Sequence, residues 1–174
     1  MTIIKILQYP DQRLKRKGKV VKDFGEAFQK TVNDMFETHY ASQNCAALAA
    51  TQLDIPDAPH VTVIDFSQHH DKPLCLVNAK IIKREGFQKE EEGCMSVGCD
   101  IGISLYAYVE RAKKIHVQAQ DRFGNFFEMD AEDFMAKCIQ HELDHLEGMV
   151  FLDHLSVLKR ERLEKKLEKE KSKI

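Results

Sequence analysis

The feature that most limits what this chain can become is His141-Glu142-Leu143-Asp144-His145, an H-E-x-x-H pattern. At about 100° per residue on an α-helix, His141 and His145 lie one turn apart on one face, so two imidazoles can reach one metal ion. Glu142 then points beside that ion, placed to act as a base. Local sequence supports the helix: Asp130 is a suitable N-cap, Asp133 occupies the capping-box position and Gly148 is a natural stop, which predicts a helix over 131–147. Phe134, Met135, Cys138, Ile139 and Leu146 share an arc with the motif, so it is expected to face the core. The plainer alternative, hydrogen-bonded core residues, leaves a buried glutamate between two histidines with no cation near, which is costly.

Composition sets the frame for that site. A chain of 174 residues, 43% hydrophobic and 31% charged, is expected to form one folding unit over 1–174 with room for a core. The net charge of -2 gives no reason to invoke nucleic acid as the main partner. No apolar run approaches the ~18 residues of a membrane span, and the opening apolar stretch is cut short by Pro10 and Asp11, so a cytoplasmic, membrane-free protein is expected. Five scattered cysteines, Cys45, Cys75, Cys94, Cys99 and Cys138, point to reduced thiols or metal ligation over a disulfide framework.

Along the chain, Phe28, Val32, Met35, Phe36 and Tyr40 recur at helical spacing and predict an amphipathic helix over 25–41. The small-residue run Cys45-Ala46-Ala47-Leu48-Ala49-Ala50-Thr51-Gln52 permits close backbone approach and ends in a side-chain amide. Strands are predicted over 61–66 and 74–82, a turn over 83–86, and an acidic approach, Glu90-Glu91-Glu92, to Gly93-Cys94-Met95-Ser96. Alternating apolar residues predict strands through Ile101, Ile103, Leu105, Ala107 and Val109 and through Ile115, Val117 and Ala119, with a hairpin turn over 121–125. The segment 155–174 reads as an exposed C-terminal helix with few core contacts. Its stretch 159–173 carries eight basic and four acidic residues, a solvated face or an interaction arm.

An H-E-x-x-H pair needs a third protein ligand. Glu147 is too close in sequence to serve, and Phe151 stands where an extended motif would place a histidine. Cys94 is the best-placed soft candidate, because Gly93 before it allows tight approach. With these three segments in hand, the sequence resembles the peptide deformylase family, bacterial type, over nearly its whole length. Leu48-Ala49-Ala50-Thr51-Gln52, Glu92-Gly93-Cys94-Met95-Ser96 and the segment from Gln140 to His145 carry the resemblance. Tyr9-Pro10-Asp11 and the basic tail are also similar to bacterial members.

The resemblance implies an α+β fold, with antiparallel sheets packed around a central metal-binding helix and a C-terminal helix. It also implies a metal-dependent hydrolase that removes the N-formyl group from formylmethionine on nascent polypeptides. In that reading Cys94, His141 and His145 hold one divalent ion, expected to be Fe(II), with zinc or nickel also compatible. Glu142 is the proton carrier, and the Gln52 side chain with the Met95 backbone N–H stabilises the oxyanion. The partners implied are an N-formylmethionyl peptide and, through the basic helix, the ribosome, with the protein acting as a monomer. Departures from the family pattern are Cys45 and Ala47 in place of two glycines, Gly98 in place of a proline, a longer loop over 98–108, and Lys137 where an apolar pocket residue is expected. These motivate two competing readings: a deformylase-like hydrolase with shifted N-acyl specificity or reduced activity, and a non-catalytic ribosome-associated or peptide-binding relative. Cys99 is expected to be a bystander to Cys94.

Overall fold

The computed structural model describes residues 2–174 and bears out the mixed architecture. Three helices, α1 (Glu26–Ala41), α2 (Asp133–Leu146) and α3 (Val157–Lys171), accompany seven strands: β1 (Ala47–Ala49), β2 (Val61–Ile64), β3 (Leu74–Glu85), β4 (Gln88–Glu92), β5 (Ala107–Arg111), β6 (Lys114–Gln120) and β7 (Phe126–Glu132). Five strands form an antiparallel sheet in the order β1-β2-β3-β6-β7, while β4 and β5 pair separately.

Side-chain alternation explains how the larger sheet serves two helices. Leu48, Val61, Val63 and Val77 join Phe28, Val32 and Met35 of α1 in one core cluster. Ala47, Ile64, Leu76, Ile115 and Val117 join Ala136 and Ile139 of α2 in another. Successive strand residues point to opposite faces, so a short apolar strand such as β2 is buried on both. A third cluster under the small sheet gathers Cys94, Val97, Leu105 and Val109 with Phe151, Leu152 and Leu167. The helix carrying the histidines therefore lies between the two sheets' cores.

Four expectations need correction. Asp130 does not cap α2: it sits in β7 opposite His116 and gives its carboxylate to that imidazole, 2.7 Å away, because strand pairing continues through Glu132. The helix starts at Asp133, itself at φ +50°, with no side-chain cap on Glu132. Residues 101–105 are not a strand; Gly98 and Gly102 take φ of +84° and +72° around a short 3-10 turn, and strand geometry resumes only at Ala107. The turn expected over 83–86 is mostly strand, with β3 paired to β6 as far as Glu85. Finally, α3 is docked more firmly than a solvated tail: Leu167 is buried, Tyr9 Oη hydrogen-bonds Glu164, and Lys171 Nζ donates to the Tyr9 carbonyl.

Gly148 ends α2 as expected, at φ +80°, and a Cβ there would stand 2.3 Å from the Lys15 carbonyl oxygen. Left-handed backbone alone costs a non-glycine residue roughly 1–2 kcal/mol, and the clash adds to it. Gly148→Ala is expected to lower unfolding free energy in urea by at least ~2 kcal/mol; an unchanged midpoint would show that the 15–16 segment yields freely.

Candidate metal centre and cleft

Helix α2 presents His141 and His145 one turn apart, and the segment leaving β4 brings Cys94 to them. Cys94 Sγ lies 3.3 Å from His145 Nε2, which lies 3.2 Å from His141 Nε2. The three ligand atoms are mutually within 4.8 Å. Tetrahedral bonds of about 2.0–2.1 Å to nitrogen and 2.3 Å to sulfur place such atoms roughly 3.3–3.7 Å apart, so the spacing fits one cation. The donor orientation fits as well. His141 Nδ1 hydrogen-bonds Glu92 Oε1 at 2.9 Å, which leaves its Nε2 lone pair facing the other two ligands.

Charge at this centre is not arranged for an empty core. Burial drives His145 well below the ordinary imidazole range, and His141 beside it pushes the same way. Burial also opposes a charge on His141, but hydrogen bonds to Cys94 and Glu92 outweigh it and hold its pKa well above the ordinary value. Glu142 is 4% exposed, and burial pushes its carboxyl up to about 7. One of its oxygens, Oε2, is buried without a partner among the described residues, as is His145 Nδ1. A divalent cation would relieve this cluster of two facing imidazoles and a lone carboxyl.

A cleft of about 310 Å³ opens onto this centre. Ala46 and Ala47 line one side, Gly93, Cys94 and Met95 another, and Phe134, Lys137, Cys138, His141 and Glu142 of α2 the floor. Ser104, Leu105 and Tyr106 place the long loop in the same wall. Gly93 lets the Tyr106 ring close against the backbone, since a Cβ would stand 2.8 Å from it and push that exposed ring outward.

Gln52 does not line the cleft. It is 1% exposed behind Cys94, its Nε2 donating to Ser96 Oγ at 3.1 Å and lying 3.6 Å from Cys94 Sγ, while its Oε1 accepts the Ala49 N–H. Met95 is at the wall, and its backbone N–H has no partner among the described residues.

The departures have limited structural consequence. Neither Cys45 nor Ala47 takes positive φ; the left-handed residue of that segment is Asn44, at +55°. Lys137 is half-buried, with Nζ donating to the Glu91 carbonyl at 3.1 Å and lying 5.1 Å from the Phe134 ring centre, so it is tied to the cleft rim. Phe134, expected in the core arc, is 45% exposed and packs edge-on against Phe66. Cys99 is outside the ligand group, its thiol donating to the Cys94 carbonyl at 3.5 Å.

Sequence reasoning missed the support behind His141. Arg111 grips Glu92 through two bonds, Nε–Oε2 at 2.8 Å and Nη2–Oε1 at 2.9 Å, and reaches Asp144 on α2. Asp144 also accepts from His154 at 2.7 Å. The only available signal was the position of Glu92 beside Gly93-Cys94.

Comparison with known proteins points to one family and one fold. The family model described as polypeptide deformylase matches residues 3–161. Peptide deformylase 1 of Coxiella burnetii is 59% identical over 167 residues, 96% of each chain. A peptide deformylase crystal structure from Legionella pneumophila superposes with a TM-score of 0.88 at 40% identity, covering 98% of this chain and 96% of that one. One from Ehrlichia chaffeensis, in complex with actinonin, gives 0.86 at 33% identity over 97% and 98%.

Proposed function

This chain belongs to the polypeptide deformylase family, and we infer from that premise, together with the cleft, that it hydrolyses the N-formyl group of formylmethionyl nascent chains. The reaction cleaves the formamide C–N bond with water, giving formate and a free amino terminus. The observation that carries the reading is the convergence of Cys94 Sγ, His141 Nε2 and His145 Nε2 on one point beside the buried Glu142 carboxyl. This is a Cys-His-His set with a base, on a floor reached from the surface.

Cys94, His141 and His145 would hold the cation, and the thiolate suits Fe(II), with zinc and nickel as alternatives. When bound, a divalent ion supplies Lewis acidity and lowers the pKa of water toward ~7. Glu142 takes the proton of the attacking water and delivers it to the leaving nitrogen; a carboxyl raised by burial toward neutrality is matched to both transfers. The Met95 N–H donates to the oxygen of the tetrahedral carbon, and the Gln52 amide, whose Nε2 here faces Ser96 Oγ and Cys94 Sγ, joins it by turning past Cys94 when substrate binds. The substrate backbone runs as an added strand along β1, the end strand of the five-stranded sheet, with Gly93 on its other flank. The reading includes a cytoplasmic location and a contact between the base-rich α3 and the ribosome that presents the nascent chain, supported by the excess of basic over acidic residues in 159–173. Among the described residues no helix is long and apolar enough to cross a membrane.

The test is formate release from formyl-Met-Ala peptide by protein purified without oxygen, with metal content measured in parallel. Wild type and Cys99→Ser are expected to hold about one equivalent of metal and to release formate, whereas Cys94→Ser loses most of both. No formate from metal-loaded wild type would overturn the function, and metal loss in Cys99→Ser would overturn the ligand assignment.

A further inference from the structure

One fixed cation faces the cleft. Lys137, one turn of α2 before His141, is the only lysine or arginine among the described residues that line it. Its Nζ donates to the Glu91 carbonyl at 3.1 Å and lies 5.1 Å from the Phe134 ring centre, so the ammonium is anchored between β4 and α2. An ammonium has three N–H groups, and the Glu91 contact uses one. Glu91 offers its backbone oxygen, and Glu92 is held by Arg111 and His141, so Lys137 has no salt bridge among the described residues.

Helix geometry places this cation relative to the reaction. At 1.5 Å per residue, Lys137 lies about 6 Å from His141 along α2, a span comparable to an extended methionine side chain. Ala47 of β1 belongs to the cluster shared with α2, and Leu48 to the one shared with α1; a strand added alongside β1 alternates in the same way. With the formyl group at the metal, the side chain of the first residue runs along the α2 floor and ends at Lys137, while that of the second turns to the other face. We propose that Lys137 is a specificity-determining residue that admits formylmethionine in its sulfoxide form, by donating to the sulfoxide oxygen. A thioether is a weak acceptor, so an ordinary methionine side chain covers the ammonium without replacing the water on its free N–H groups. The sulfoxide puts a polar oxygen acceptor at the same point of the side chain, where it accepts a charge-assisted bond. The sulfur takes no part in the hydrolysis and leaves in the oxidation state in which it entered. The inference rests on the deformylase reading and on the formyl group lying at the metal.

The experiment measures formate release by full-length, metal-loaded protein from formyl-Met-Ala-Ser and from the same peptide carrying methionine sulfoxide. The readout is the ratio of the two kcat/KM values, sulfoxide over methionine, which is independent of the active fraction. Lys137→Leu is expected to lower that ratio about 10-fold, the low end for a lost hydrogen bond to a charged group, as suits a half-buried cation. Lys137→Arg, which keeps a cation, is expected to hold it within about threefold. Lys137→Met carries the same test if leucine disturbs α2. An unchanged ratio in Lys137→Leu or Lys137→Met overturns the proposal, and so does a ratio that falls equally in Lys137→Arg. Formyl-Met-Asp-Ser reports on the second residue: if the Lys137 dependence appears there and not with the sulfoxide, the ammonium reads the next side chain and the proposal fails. A failed ratio with good turnover of formyl-Met-Ala-Ser refutes only the role of Lys137, whereas no formate from any peptide would refute the deformylase reading and this inference with it.

Discussion

Glu142→Ala is expected to lower kcat for formyl-Met-Ala hydrolysis by about 10³-fold, within the 10²–10⁴ range of a lost proton carrier, while the protein retains its metal. The separation follows from position. Glu142 lies beside the three converging ligand atoms and is not one of them, so its removal leaves Cys94, His141 and His145 in place. Stability is expected to hold or rise. The carboxyl is 4% exposed, has an unpartnered oxygen, and is pushed up to about 7 by burial, so the folded state carries its desolvation without full compensation. Formate assays, metal analysis and a thermal scan on one preparation check all three. Wild-type kcat in the variant would remove Glu142 from the proton path, and loss of metal would make it a ligand.

How much of this was legible in the sequence follows from the range of the interactions. The His141 to His145 spacing, the amphipathic α1 and the stop at Gly148 depend on neighbours within a turn, and each was readable. Strand β4 was not, because Gln88-Lys89-Glu90-Glu91-Glu92 buries one residue in five and shows no apolar alternation. The opposite error arose over 101–105. Its apolar residues alternate, but they pack on the cluster shared with α3 from a backbone bent at Gly98 and Gly102. Asp130 misled because a good capping residue is also a good partner for His116 across a strand pair. Lys137 reads as a surface residue and is one in part, yet its ammonium is held at the cleft rim by a carbonyl from β4, a contact between segments 46 residues apart. Partners distant in sequence leave no local pattern, and the support of His141 is of that kind.

The largest expected effect on stability is at Arg111. Its guanidinium and the Glu92 carboxylate are 4% and 2% exposed at their side chains, so the pair is taken out of water almost completely. Removing one partner of such a pair strands the other charge, at a cost of about 3–5 kcal/mol. Arg111→Met, similar in volume, is expected to lose that much unfolding free energy at pH 7. The metal responds too, because Glu92 Oε1 orients His141, and disturbing such a support typically weakens affinity 10–100-fold. Burial works to raise the Glu92 pKa, but hydrogen bonds from Arg111 and His141 prevail and hold it at about 2. A depressed carboxyl contributes stability that is complete above its unfolded value, near 4.5, and is lost as pH falls toward 2. In Arg111→Met the dominant lowering partner is gone, so loss of this contribution begins at higher pH, and urea midpoints measured from pH 3 to 7 should diverge from wild type across that range. Adding Glu92→Gln removes the stranded charge and keeps an oxygen for His141, so the double variant is expected to regain most of the stability. A single variant within ~1 kcal/mol of wild type and with unchanged metal affinity would mean that Glu92 is neutralised by another route, and that His141 is oriented by the helix alone.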